Sequence, residues 1–158
     1  MDVRPALPSD AAEIARLGVL MFEALGLEPD DDFRRRAADT VAARVGDGSV
    51  VAFVVDDPAG GGRLVANAAA VISARLPHPR NPSGRTAYVQ YVCTEAAWRG
   101  RGLGRAVMQA VVDWCRDNDV LLVELHASPD GLALYRSMGF DENPNPALRL
   151  RLPRSNSA

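Results

Sequence analysis

The chain has 158 residues, of which 47% are hydrophobic and 24% charged, and a net charge of −2. That length fits one domain with its own core, and the slightly acidic balance excludes a broad electrostatic grip on nucleic acid. All 18 basic residues are arginine, so no lysine is available as a Schiff base, a P-loop phosphate ligand or a catalytic base.

Val3 opens a short extended segment. Pro8-Ser9-Asp10 then offers a helix cap, with Glu13 three residues past Asp10 as in a capping box. Ala11, Ile14, Leu17, Val19 and Leu20 recur at near-helical spacing, which predicts a helix over 10–22, broken by Gly26 and Pro29. Asp30-Asp31-Asp32 caps a second helix over 31–46, closed by Gly46. The acidic triplet either complements the helix dipole or contacts a cationic substrate. Val50–Val55 and Leu64–Ala74 read as strands joined by a glycine-rich turn over 56–62. Residues 75–85, rich in Pro, Asn, Ser and Gly, read as a loop.

Residues 86–93 form the next strand, followed by a glycine turn and a helix over 103–118. Leu103, Val107, Ala110, Val111 and Trp114 share one face of that helix, which suits packing on a sheet. Val120–His126 is a strand, and Pro129 and Asp130 open a short helix ending at Gly139. Phe140 and the segment 147–152 are expected to finish the sheet, and residues 155–158 to fray. The order β-α-α-β-β-β-α-β-α-β-β, with a βαβ unit over 86–126, predicts a mixed α/β or α+β domain spanning 1–154. There is no internal repeat and no sign of a second domain.

Cys93 and Cys115 lie in apolar patterns and read as reduced core residues rather than a disulfide framework. The two histidines and two cysteines lie too far apart in sequence for metal-ligand spacing. Met1-Asp-Val-Arg-Pro has no signal-peptide character, and no apolar run nears the roughly 20 residues of a membrane span. The expected setting is the cytoplasm, without membrane or nucleic-acid partners.

Trp98-Arg-Gly-Arg-Gly-Leu-Gly-Arg105 joins the apolar strand to the third helix. Its three glycines let the backbone turn tightly and approach a ligand closely. The helix that follows points its N-terminal amides and positive dipole end at the turn, a device for holding a phosphate. A P-loop needs Gly-Lys-Ser/Thr, and no lysine exists. A dinucleotide fold needs G-x-G-x-x-G/A, but the third place holds Arg105 when counted from Gly100 and Val107 when counted from Gly102.

Arg99-x-x-Gly102-x-Gly104 has the form R/Q-x-x-G-x-G/A and resembles the acetyl-CoA pyrophosphate loop of the GNAT superfamily of N-acetyltransferases. Leu134-Tyr135-Arg-Ser-Met-Gly139-Phe140 resembles the superfamily's A-x-x-L-Y-x-x-x-G-F signature, and Val3–Asp10 looks like its first strand and helix start. Two positions depart from the pattern. Ala96 stands where many relatives have proline, and Ser128 where many have an asparagine that touches the cofactor arm.

The resemblance implies a GNAT fold: a mostly antiparallel central sheet, a βαβ cofactor unit and flanking helices. It also implies acetyl transfer from acetyl-CoA to a primary amine of a small molecule or protein, by direct attack and without metal. Backbone amides of Arg99, Gly100, Arg101, Gly102, Leu103 and Gly104 would bind the pyrophosphate, with Arg99, Arg101 and Arg105 adding charge. Val92, Cys93 and Thr94 would pair with the pantetheine arm, and Ser128 and Tyr135 complete the implied cofactor contacts. A strand N–H there would polarise the thioester carbonyl. Tyr135 is the implied general acid. Glu124 and His126 share a strand face and are candidate bases, as is Glu95. Cys93 as an acyl-carrying nucleophile has no base beside it in sequence. Trp98 reads as a packing or cofactor-edge residue. Residues 21–32 and 75–86 would shape the acceptor pocket, and relatives of this kind often dimerise. A catalytically inactive CoA-binding sensor is the competing reading; the presence of Tyr135 argues against it.

Overall fold

The computed structural model describes residues 1–155, which form two compact units, Met1–His126 and the segment from Ala127 onward. The first unit carries a five-stranded sheet in sequential order: β1 (Val3–Pro5), β2 (Val50–Asp56), β3 (Leu64–Ala74), β4 (Arg85–Thr94) and β5 (Leu122–Glu124). β1 to β4 pair antiparallel, and β5 joins β4 in parallel. Helices α1 (Ala11–Ala24), α2 (Asp31–Gly46) and α3 (Leu103–Asp117) accompany the sheet. The second unit holds α4 (Pro129–Ser137).

β3 is the centre of the core. Seven successive residues, Leu64–Ala70, are buried, the unbroken apolar run expected of a strand covered on both faces. Small alanines at 66, 68, 69 and 70 let helices approach both sides. Ile14 and Leu17 of α1 and Val107, Met108 and Val111 of α3 are fully excluded from water. Each such side chain stabilises the fold by about 1.5–3 kcal/mol.

The α3 face differs from the one read in sequence. Leu103, Val107, Met108, Val111 and Cys115 are buried, while Ala110 and Trp114 are only half covered. The i, i+4 row 103-107-111-115 points at the sheet, and Met108 flanks it. On α1, Val19 and Leu20 turn outward and Gly18 is buried instead, because the Tyr91 ring lies against it.

The expected capping box at Asp10 and Glu13 is absent. The Asp10 carboxylate accepts from the Leu7 N–H (2.8 Å) and from Arg4, whose guanidinium also grips Asp56 at 2.7 Å. Arg4 thereby ties β1 to the start of α1 and the end of β2. Asp30 does cap α2, accepting from the Phe33 N–H at 2.7 Å, and Asp32 pairs with Arg35 and Arg36. The acidic triplet thus serves its own helix.

The Arg4 hydrogen bonds hold the Asp10 carboxyl below the usual carboxylate range. A depressed carboxyl pKa adds stability above the unfolded value and loses it as pH falls through the folded one. Asp10→Asn should therefore lower the Tm by roughly 3–6 °C near neutral pH. The gap to the parent should close below about pH 4. Thermal melts across pH check both points; a gap independent of pH contradicts the charge argument.

The expected closing strands do not form. Residues 138–155 hold no helix or strand, and Leu148, Leu150 and Leu152 are 79–93% exposed. Their alternation with arginine imitates a half-buried strand, but no neighbouring strand takes it up. Of the tail expected to fray, Asn156–Ala158 lies outside the described residues.

Candidate active site

β4 runs to Thr94, but β5 pairs with it only over Thr86–Tyr88. Beyond Tyr88 no strand among the described residues lies on its outer edge. Val92, Cys93 and Thr94 therefore line a strand edge whose polar groups can receive an extended, amide-bearing ligand. The Cys93 side chain itself is buried in the core beside Ile14, Leu17 and Val54. Burial pushes its thiol pKa up, so it is a poor nucleophile.

A 3-10 turn, Ala96–Trp98, leads from β4 into the glycine loop. Gly100 and Gly102 both adopt left-handed backbone, φ 75° and 78°. Any other residue there would be strained. A Cβ built at either would meet nothing within 4 Å, so it is backbone conformation and not crowding that favours glycine there. Gly102 is the N-cap of α3, and its carbonyl accepts from the Ala106 N–H at 3.0 Å. The first-turn amides at Leu103 and Gly104 have no carbonyl inside the helix to bond, and the dipole adds partial positive charge there. Arg99 is held by its Nε–H donating to the Thr94 carbonyl (3.2 Å), and the Arg101 guanidinium sits 4.6 Å above the Trp98 ring. Trp98 is thus a seat for Arg101. Left-handed glycine backbone and helix-start amides, with Arg99 and Arg101 on the same loop, make a combination of the kind that binds phosphate groups.

Glu95 is not a free base. It pairs with Arg16 at 2.6 Å and Arg63 at 2.9 Å, its backbone N–H bonds Val65 O, and its side chain is 13% exposed. Arg16 also grips Glu13, which accepts from the Leu64 N–H. This cluster, which the sequence reading does not anticipate, clamps α1 and β3 to the root of the loop.

Glu124 and His126 reach different partners. Glu124, opposite Tyr88 in the β4–β5 register, pairs with Arg75 at 2.8 Å. His126 Nδ1 lies 2.6 Å from the Tyr88 hydroxyl. Tyr88 gave no signal in sequence, because its relevance depends on where β5 lands. All four residues cluster where β5 stops and the β4 edge opens.

In the second unit, Ser128 caps α4 and accepts from the Gly131 N–H. Tyr135 is 9% exposed, with its ring edge-on to Phe140 at 5.9 Å. A Cβ at Gly131 would come within 2.9 Å of that ring, so glycine is what lets the ring lie on the helix start. Burial raises the Tyr135 pKa above its ordinary value, keeping the hydroxyl protonated as a general acid requires.

Two cavities open near α2. One, about 220 Å³, is lined by Phe33, Ala37, Val41, Ala69 and Tyr91 with Arg36 on its wall. The other, about 330 Å³, is lined by Phe22, Leu27, Glu28, Pro29, Asp30 and Phe33. The second is lined by residues of the 21–32 segment and Phe33; the loop 75–86 lines neither.

The sequence model of the Acetyltransferase (GNAT) family matches residues 14–140. The chain belongs to this family. It has the GNAT fold and is an enzyme of the N-acetyltransferase class. Glucosamine 6-phosphate N-acetyltransferase 1 of Oryza sativa subsp. japonica is 28% identical over 138 residues, covering 85% of this chain and 79% of that one. A predicted acetyltransferase from Clostridium acetobutylicum, solved with acetyl-CoA, superposes with a TM-score of 0.84 at 21% identity, covering 95% of each chain. A GCN5-related N-acetyltransferase from Ralstonia eutropha JMP134 gives 0.80 at 23% identity, covering 94% of this chain and 97% of that one. Among the described residues, no helix is long and apolar enough to cross a membrane.

Proposed function

We propose that this GNAT enzyme transfers acetyl from acetyl-CoA directly to a primary amine of a small molecule. The observation that carries this is the open left-handed Gly100–Gly102 loop at the N-terminus of α3, beside an unpaired β4 edge. Arg99, Arg101, Arg105 and the loop amides bind the pyrophosphate, and Val92–Thr94 pair with the pantetheine arm. Bound acetyl-CoA supplies an activated thioester carbonyl. A β4 N–H polarises that carbonyl. The amine nitrogen forms the new C–N bond as the C–S bond breaks. Tyr135 gives its hydroxyl proton to the departing sulfur, and Glu124 and His126 are the groups at the strand opening that can take the amine proton. Glu28 lines the second cavity together with Phe22 and Phe33, a mix of charge and apolar surface that favours a cationic acceptor there.

Because the rice relative is a glucosamine 6-phosphate N-acetyltransferase, amino-sugar phosphates are among the acceptors to try first. Incubation with acetyl-CoA and a panel of amino-sugar phosphates, polyamines, aminoglycosides, amino acids and peptides, followed by free-thiol release, tests the reading. Thiol release that depends on one amine class supports it. No release above hydrolysis with any primary amine contradicts it.

A further inference from the structure

β3 and β4 lose register at one place. Asn67 faces Cys93 while Ala69 faces Gln90, so Ala68 alone stands opposite both Tyr91 and Val92. This is a β-bulge. Tyr91 adopts φ 54°, a conformation that a bulky side chain rarely takes. Three contacts hold it there. Above, its ring lies against Gly18, where a Cβ would be 3.2 Å away, and edge-on to Phe22 at 5.7 Å. Below, the Asn67 Nδ2 donates to the Tyr91 carbonyl at 2.7 Å.

Asn67 is fully buried amid the alanines of β3, and its Oδ1 has no partner. The amide orientation is forced, because a flip would set oxygen against the Tyr91 carbonyl oxygen. A buried amide with an unmet acceptor is a poor choice for stability, and valine would suit the strand better. Its one bond goes to the residue that creates the bulge, and the bulge lies in the half of β4 with an open outer edge. Successive N–H groups of a strand point to opposite sides, so a one-residue slip exchanges the amides facing the ligand for those facing β3.

We propose that Asn67 is a positioning residue for acetyl transfer, pinning the Tyr91 bulge so that the amides of Val92–Thr94 meet the thioester and pantetheine arm. This rests on the direct-transfer reading above. It predicts loss of turnover with retention of donor affinity, because the glycine loop, where most of the donor's charge is held, is untouched.

The test is steady-state kinetics of Asn67→Val and Asn67→Asp beside the parent, with thermal melts of each. For Asn67→Val the expected result is a kcat lower by at least about tenfold, a KM for acetyl-CoA within about threefold, and a Tm equal to or above the parent's. For Asn67→Asp, burial favours the neutral carboxyl, which regains a donor as it protonates. Its kcat relative to the parent should therefore climb as pH is lowered from about 8 to about 6. If Asn67→Val fails to fold, the Asn67→Asp pH profile decides alone. A kcat within about twofold of the parent in Asn67→Val, or an Asn67→Asp ratio flat with pH, overturns the assignment. So does a loss of activity that only tracks the fraction unfolded. A parent that turns over no acetyl-CoA removes the transfer reading itself, which the parent's own assay shows separately.

Discussion

Gly102→Trp should abolish measurable CoA binding while leaving the fold intact. Gly102 stands at φ 78° as the N-cap of α3, and a Cβ there projects into space free of protein for 4 Å. If the loop binds the pyrophosphate as proposed, an indole in that position crowds the backbone that must approach it. Losing two charge-assisted hydrogen bonds to the anion costs about 3 kcal/mol or more, at least about a hundredfold in Kd. The left-handed backbone adds about 1–2 kcal/mol of strain, a Tm lower by a few degrees. Titration calorimetry with CoA, paired with a thermal melt, separates the two effects. Tight binding by this variant would sink the loop assignment.

Tyr135→Phe should produce the opposite split. The phenyl ring keeps its place on Gly131 and its edge contact with Phe140, so folding and CoA binding persist. Only the hydroxyl is lost, and kcat should fall by about a hundredfold with little change in the KM for acetyl-CoA. The pH profile gives a second handle. A general acid works while protonated, and burial raises the Tyr135 pKa above its ordinary value. The parent's kcat should therefore hold past the ordinary tyrosine range before this group titrates, and the Phe variant should lack that limb. Unchanged turnover in Tyr135→Phe would remove the general acid.

The elements most legible in sequence were those with local punctuation. α2 begins and ends where Asp30 and Gly46 indicate, because an N-cap and a helix end are decided within one turn. β3 was legible because an apolar run over 64–74 sits between a glycine turn and a polar loop. The glycine turn before α3 was legible because Gly100 and Gly102 are left-handed positions that few other residues tolerate.

What was not legible depends on tertiary partners. Leu148, Leu150 and Leu152 carry strand alternation without a strand to pair with. The Tyr91 bulge has no glycine or asparagine at its left-handed residue to announce it. It exists because Gly18, on another element, makes room for the ring, and because Asn67 holds the carbonyl. Glu95 looked like a free carboxylate next to the cofactor strand until Arg16 and Arg63 were found to neutralise it. Likewise Tyr88 and His126 meet only because β5 enters in parallel register beside β4.

Direct acetyl transfer is tested most plainly by intact mass of both protein and acceptor after incubation with acetyl-CoA. Each turnover should add one acetyl group to the acceptor amine and release one free CoA thiol, leaving the protein, Cys93 included, at its original mass. An acetylated protein would contradict direct attack, and an unmodified acceptor in the presence of tightly bound acetyl-CoA would make this chain a CoA-binding sensor rather than a transferase.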